Sequence, residues 1–273
     1  MHKFLSFNFR ISTASETSAP VVSDAAFYGR GIFTTLAVYH SKPFQWEKHW
    51  RRLTENAAVV GVDLSEFGEE NVKNALSEII SCNNLEKGRA RITFFREEAS
   101  GVWQNQAKRR TGLLITTADF RHISDSLRVT VSPYRLNSKS PLVNIKSCNY
   151  LENLLVLENA GKNGFDEAIR LNENGEVVSG AMANLFWTFD NKIYTSATET
   201  GALCGTTRDF VLERFPVSEK CAALEELLNA DEIFLTSAGI GVSRVESLGD
   251  RKFASLDCFA RIRKLFDEIT CKI

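Results

Sequence analysis

Residues 144–187 read NIKSCNYLENLLVLENAGKNGFDEAIRLNENGEVVSGAMANLFW, and the fold is decided here. Leu151, Leu154, Leu155 and Val156 give residues 149–163 the spacing of a strongly apolar helix. Residues 167–171 then form an apolar run of strand length. Asn172-Glu173-Asn174-Gly175 has turn chemistry, and a second strand is expected from residue 176 onward. Glu176 lies an odd number of positions from Ser179 on that strand, so the two are expected to face opposite sides. Residues 184–189 make another strand, turned by Asp190-Asn191-Lys192 into a partner at 193–195. Lys146 stands just before the helix, which places its amine near an element junction.

Upstream, residues 4–10 read as a strand and 12–20 as a polar loop. The β-branched and aromatic stretch 31–39 is a strand, and Ser41-Lys42-Pro43 turns the chain into 44–46. Residues 49–61 have helical spacing with Gly61 as a stop; Ser65 is the candidate N-cap of a helix to about residue 83. Strands follow at 89–96 and 112–117. The apolar pattern then lapses at 119–125 and resumes with a strand at 127–133. This gives an α+β chain with an N-terminal domain at 1–120, a linker near 119–125 and a C-terminal domain at 126–273. Within the latter, helices are expected at 207–214 and 224–228, a strand at 232–237, and a closing amphipathic helix at 256–269.

The chain has 273 residues, 44% of them hydrophobic, enough to bury a real core. Lys and Arg number 33 against 34 Asp and Glu, and the net charge of −1 leaves no basic field to gather nucleic acid or anionic lipid. The N-terminus lacks a signal-peptide pattern and no segment has a membrane-spanning apolar run, so a cytoplasmic protein with a small-molecule partner is expected. The six cysteines are scattered singly without a CxxC pair. Free thiols and no metal site follow.

Three distant segments join Lys146 in carrying residue types that hold a phosphate: HWRRL at 49–53, CGTTR at 204–208 and LTSAG at 235–239. A Gly-Thr-Thr that enters a helix offers backbone amides and hydroxyls to an anion, and a fixed arginine adds a bidentate clamp. Each alone reads more readily as a helix cap or a surface charge. Their order, with YGRGIFTTLAVYHSKPF at 28–44 and IKSCNYLENLLV, ANLFW and GTTR downstream, resembles the class IV aminotransferase family across nearly the whole chain.

The resemblance implies the two-domain fold type IV, with a smaller N-terminal α/β domain and a larger C-terminal domain that binds pyridoxal 5'-phosphate. It implies that Lys146 is the Schiff-base lysine and Arg52 the phosphate-binding arginine. Thr206 and Thr207 would donate to the phosphate, and Ser237 and Ala238 would close the cup around it. Tyr150 would contact the cofactor's phenolic oxygen. Homodimers are the expected assembly. Freed from the cofactor, Lys146 would act as the base at the substrate's α-carbon.

Most relatives carry a Glu five residues before the Asn of the ANLF motif, where it keeps the pyridine nitrogen protonated; this chain has Ser179. A hydroxyl supplies no full negative charge, so the electron sink is weaker. That favours elimination, with a good leaving group, over transamination. Arg30 stands where relatives have Asp in the turn after Tyr28, and Arg244 stands near a position often held by Pro. Tyr28, Arg30 and Arg96 are the candidate substrate contacts, with Arg96 favoured for a carboxylate, and the substrate would be anionic and amino-acid-like. The length and Phe33-Thr34-Thr35 look most like 4-amino-4-deoxychorismate lyase, although the lyase's glycine-rich segment after Arg96 is EEASGVW here. D-amino-acid and branched-chain transaminases are the alternatives, followed by a non-catalytic cofactor-binding relative.

Overall fold

The computed structural model describes residues 1–99, 110–121, 126–254 and 257–273, which fall into two compact units. The first comprises Met1–Phe120, Ile145–Asn149 and Ile273; the second comprises Arg121–Asn144 and Tyr150–Lys272. Lys146 therefore packs with the N-terminal unit, although the sequence placed it in a domain beginning at residue 126. The cause is backbone pairing: Phe33 N donates to Lys146 O and Cys148 N to Gly31 O, at 2.9 and 2.8 Å.

The first unit runs β1 (Phe4–Phe7), β2 (Arg10–Thr13), α1 (Asp24–Tyr28), β3 (Gly31–Tyr39), β4 (Lys42–Pro43), α2 (Trp46–Val60), α3 (Glu69–Cys82), β5 (Lys87–Arg96) and β6 (Thr111–Ala118). Its six-stranded antiparallel sheet has the order β2-β1-β6-β5-β3-β4. Ile32, Leu36, Ala90, Ile92, Phe94, Leu113 and Ile115 form one face of it and pack with Leu53, Ala57, Leu76 and Ile79 of the two helices. Alternation along the strands sends Phe33, Thr35, Arg91 and Thr93 to the other face.

The expected strand at 4–10 is broken because Asn8 and Phe9 take φ of 48° and 67°, folding it into the β1–β2 hairpin. Residues 10–13, read partly as loop, are its return strand. No strand forms at 44–46, since α2 already begins at Trp46. Ser65 does not cap α3; the helix starts at Glu69 after Gly68.

The second unit runs β7 (Ser126–Val131), α4 (Leu151–Lys162), β8 (Glu167–Leu171), β9 (Val177–Gly180), β10 (Asn184–Phe189), β11 (Lys192–Ser196), α5 (Thr206–Leu212), β12 (Val217–Lys220), α6 (Leu224–Leu228), β13 (Glu232–Ser237), β14 (Gly241–Leu248), β15 (Arg251–Lys252) and α7 (Asp257–Thr270). Its sheet has the order β12-β11-β10-β13-β14-β7-β8-β9, with β15 paired to β14. Trp187, Leu185, Ile233, Leu235, Val245 and Ile169 centre its core. The order sets β10 beside β13 and leaves β9 at the edge beside β8.

Candidate active site

Residues 145–149 extend the first unit's sheet beside β3, with Ser147 bridged antiparallel to Ile32. Lys146 accordingly shares a face with Phe33, and its amine lies 4.5 Å from the centre of the Phe33 ring. The guanidinium of Arg91 stacks 3.6 Å from the same ring centre. Burial, with Arg52 and then Arg91 beside it, pulls the Lys146 ammonium down to about 7. An amine so placed spends much of its time neutral at physiological pH, as a nucleophile or base must.

Helix α2 supplies the supporting residues. His49, Arg52 and Asn56 recur at i, i+3 and i+7 and so share one helix face. Asn56 Oδ1 accepts from the Lys146 backbone amide at 2.8 Å. Arg52 Nη2 donates to Thr34 Oγ1 at 2.8 Å, and that oxygen lies 2.7 Å from His49 Nδ1. Burial, then Arg52 and Lys146, holds the His49 pKa well below its usual value. With His49 neutral, its Nδ1 and the Thr34 hydroxyl share one hydrogen bond while Thr34 Oγ1 also receives Arg52. The sequence reading did not single out Thr34's partner His49 or Asn56; their common helix face with Arg52 was the available signal.

Tyr28 and Arg30 flank Gly29, whose φ is 64°. A Cβ at Gly29 would come within 2.4 Å of Asn149 Oδ1, so this turn is fitted against the segment that carries Lys146. Both flanking side chains are exposed. Arg96 is placed differently from its expected role: it is buried, and its Nη1 lies 3.1 Å from the buried Asp24 carboxylate. That ion pair holds α1 against β5, so Arg96 reads as structural. Of the glycine-poor EEASGVW stretch, residues 100–103 lie outside the described residues.

In the second unit Asn184 is the organising residue. It opens β10, pairs in register with Thr236 of β13, and donates from Nδ2 to Leu203 O at 2.7 Å. Gly205 is required beside it, because a Cβ there would sit 2.0 Å from Asn184 Oδ1. The ANLFW, CGTTR and LTSAG motifs are thereby brought together. Thr206 and Thr207 open α5, and Ser237 and Ala238 leave the end of β13. Thr236 Oγ1 is buried without a hydrogen-bond partner among the described residues.

Ser179 lies on β9 and turns its hydroxyl onto Gly180 O at 2.8 Å. Its cross-strand neighbour is Arg170, whose Nη2 is 2.9 Å from Glu152. Glu176 is tied to Asn172 Nδ2 at 2.7 Å. The buried Glu167 accepts from the amides of Ala168, Ala181 and Met182 at 2.8, 2.9 and 3.1 Å and so shapes the turn between Ser179 and Asn184. Burial raises its pKa despite those donors. Tyr150 is the N-cap residue of α4 and is partly buried. Arg244 donates to Phe253 O at 2.6 Å.

The family model described as amino-transferase class IV matches residues 31–248. The chain is 29% identical over 255 residues to the D-alanine aminotransferase of Bacillus licheniformis, covering 91% of this chain and 89% of that one. Identity to the aminodeoxychorismate lyase of Bacillus subtilis is 26% over 220 residues, covering 77% and 75%. The solved branched-chain aminotransferase of Thermoproteus uzoniensis with norvaline matches at a TM-score of 0.92 and 23% identity, over 100% of this chain and 96% of that one. The fold is thus the two-domain fold type IV. Proteins of this class use pyridoxal 5'-phosphate. The donors of the first unit fit that group: a near-neutral lysine amine for an aldehyde and a braced arginine for a phosphate.

Proposed function

The chain belongs to the class IV aminotransferases, enzymes that depend on pyridoxal 5'-phosphate, and from that premise we propose that it is a 4-amino-4-deoxychorismate lyase-like enzyme that releases pyruvate. The single observation that carries the choice is at position 179, where a serine hydroxyl bonded to Gly180 O stands beside a cross-strand arginine. No carboxylate occupies that position to hold a pyridine nitrogen protonated. A weaker electron sink suits a reaction driven by a good leaving group.

In this reading Lys146 holds the cofactor's aldehyde carbon, while Arg52, Thr206, Thr207, Ser237 and Ala238 hold its phosphate. Tyr150 meets its phenolic oxygen and Ser179 its ring nitrogen. When bound, the cofactor supplies the electron sink for the bonds at the substrate's α-carbon. Lys146 Nζ, drawn toward neutrality by its surroundings, takes and returns the α-proton. Thr34 and His49 fix the Arg52 fork, which lowers the entropy lost on gripping an anion.

The substrate is an anionic amino-acid-like molecule that passes Tyr28 and Arg30. The assembly is a cytoplasmic homodimer, for which the exposed Leu151, Leu154 and Leu155 of α4 offer apolar surface. A second reading, amino-acid transamination, is favoured by the longer match to a D-alanine aminotransferase, 255 residues against 220 for the lyase. The test is pyruvate release from aminodeoxychorismate without a keto-acid acceptor, run beside half-transamination of D- and L-amino acids. Pyruvate without acceptor supports the lyase; activity in the second assay alone removes it.

A further inference from the structure

Resting on the reading of Ser179 as the residue at the cofactor's ring nitrogen, we propose that Arg170 donates a hydrogen bond to that nitrogen and keeps it unprotonated. Arg170 of β8 is the direct cross-strand partner of Ser179 on β9, and residues so paired project from one sheet face. Helix α4 covers that face: its Val156 and Ala160 pack with Ala168 and Ala181, and Asn153 of its first turn donates to Ala181 O at 2.6 Å. Tyr150, read as the contact of the phenolic oxygen, caps the same helix. The Arg170 side chain is 2% exposed, and its Nε and Nη2 have no hydrogen-bond partner among the described residues. Nη2 does stand 2.9 Å from Glu152 Oε2, but that carboxylate's side chain is 60% exposed and faces solvent.

Buried donors without an acceptor are costly, and a pyridine nitrogen that carries no proton is an acceptor of the missing kind. Ser179 spends its own hydroxyl proton on Gly180 O, so its oxygen offers a ring atom only lone pairs. Those lone pairs suit a protonated ring nitrogen, but a hydroxyl has no charge to offset the guanidinium beside it. A guanidinium has donors only, and its positive charge opposes a second one on the ring. The neighbouring acids do not change that balance. Glu167 projects to the opposite face, its Cδ 3.3 Å from where a Cβ on Gly180 would sit, and accepts from three backbone amides. Glu176 is tied to Asn172. Arg170 therefore weakens the electron sink beyond what the missing acid alone would do.

The probe is pyridoxal phosphate labelled with nitrogen-15 in the ring, bound to the enzyme and read by NMR at neutral pH. The unaltered enzyme is expected to show the shift of an unprotonated pyridine; the shift of a pyridinium overturns the proposal without any variant. Arg170→Leu leaves only the solvent-facing Glu152 without its partner, and is expected to move the signal toward the pyridinium position, with Arg170→Lys moving it less. Ser179→Ala tests the reading beneath the proposal. If Ser179→Ala moves the signal and Arg170→Leu does not, Arg170 is a structural partner of Glu152 and the proposal falls, while position 179 keeps its role. If neither variant moves it, the reading of position 179 falls with the proposal.

Discussion

The backbone amide of Lys146 donates a 2.8 Å hydrogen bond to Oδ1 of Asn56, a side chain on the helix face that also carries His49 and Arg52. One helix thus sets the position of the lysine and of the arginine expected to hold the phosphate. Asn56 is 6% exposed, so its loss leaves a donor unsatisfied in a dry place. Asn56→Ala is expected to cost about 1–3 kcal/mol in chemical denaturation and to weaken cofactor retention. Retention equal to the parent's would show that the lysine is positioned by its strand pairing alone.

The stability of the cofactor-free protein should depend on pH through Lys146. The unfolded lysine keeps its proton up to about 10.5, the folded one only up to about 7. Between these values the unfolded chain binds more protons, so this residue makes stability rise with pH, and its cost is fully present below about 7. Lys146→Met removes the cost. The variant's stability advantage over the parent, measured by urea unfolding, is expected to be greatest below pH 7 and to shrink toward pH 10.5; an advantage constant with pH would contradict the depressed pKa.

Gly205→Ala should break the junction between Asn184 and α5. The added Cβ would lie 2.0 Å from Asn184 Oδ1, and Asn184 is itself held by Leu203 O. Overpacking of this kind costs about 1–3 kcal/mol. Affinity for pyridoxal phosphate, followed by fluorescence, is expected to fall with it, and Asn184→Ala in the same chain should recover part of the stability. Full affinity in the single variant would remove residues 205–207 from the phosphate site.

Ser179→Glu introduces the acid that the family resemblance leads one to expect at this position. Transamination is expected to gain relative to elimination, measured as the ratio of keto-acid-dependent to acceptor-free turnover. The nearby Arg170 already lies 2.9 Å from Glu152, so the new carboxylate also enters a charged neighbourhood. A ratio unchanged or lowered would show that position 179 does not control the electron sink.

Much of the fold was legible because its strands are long and apolar. β3, β5, β10 and β13 are buried along most of their length, and their β-branched and aromatic content and short length mark such apolar runs as strands. β12 and β14 were not read as strands: VSEK is largely exposed, and GVSRVESL interleaves charge with valine. The break at Asn8–Phe9 is a backbone choice that apolar patterning does not encode. At the site, order along the chain pointed to Lys146, Arg52 and the Gly-Thr-Thr segment. The stacking of Arg91 on Phe33, the pairing of Arg96 with Asp24 and the Thr34–His49 bond join residues distant in sequence, which only the folded sheet brings together.

The central claim is that the amine of Lys146 carries the cofactor. Borohydride reduction of the enzyme loaded with pyridoxal phosphate, followed by peptide mapping, tests it most directly. A pyridoxyl group on Lys146, absent from Lys146→Ala, is the predicted result; a label on other lysines with Lys146 unmodified would contradict the account.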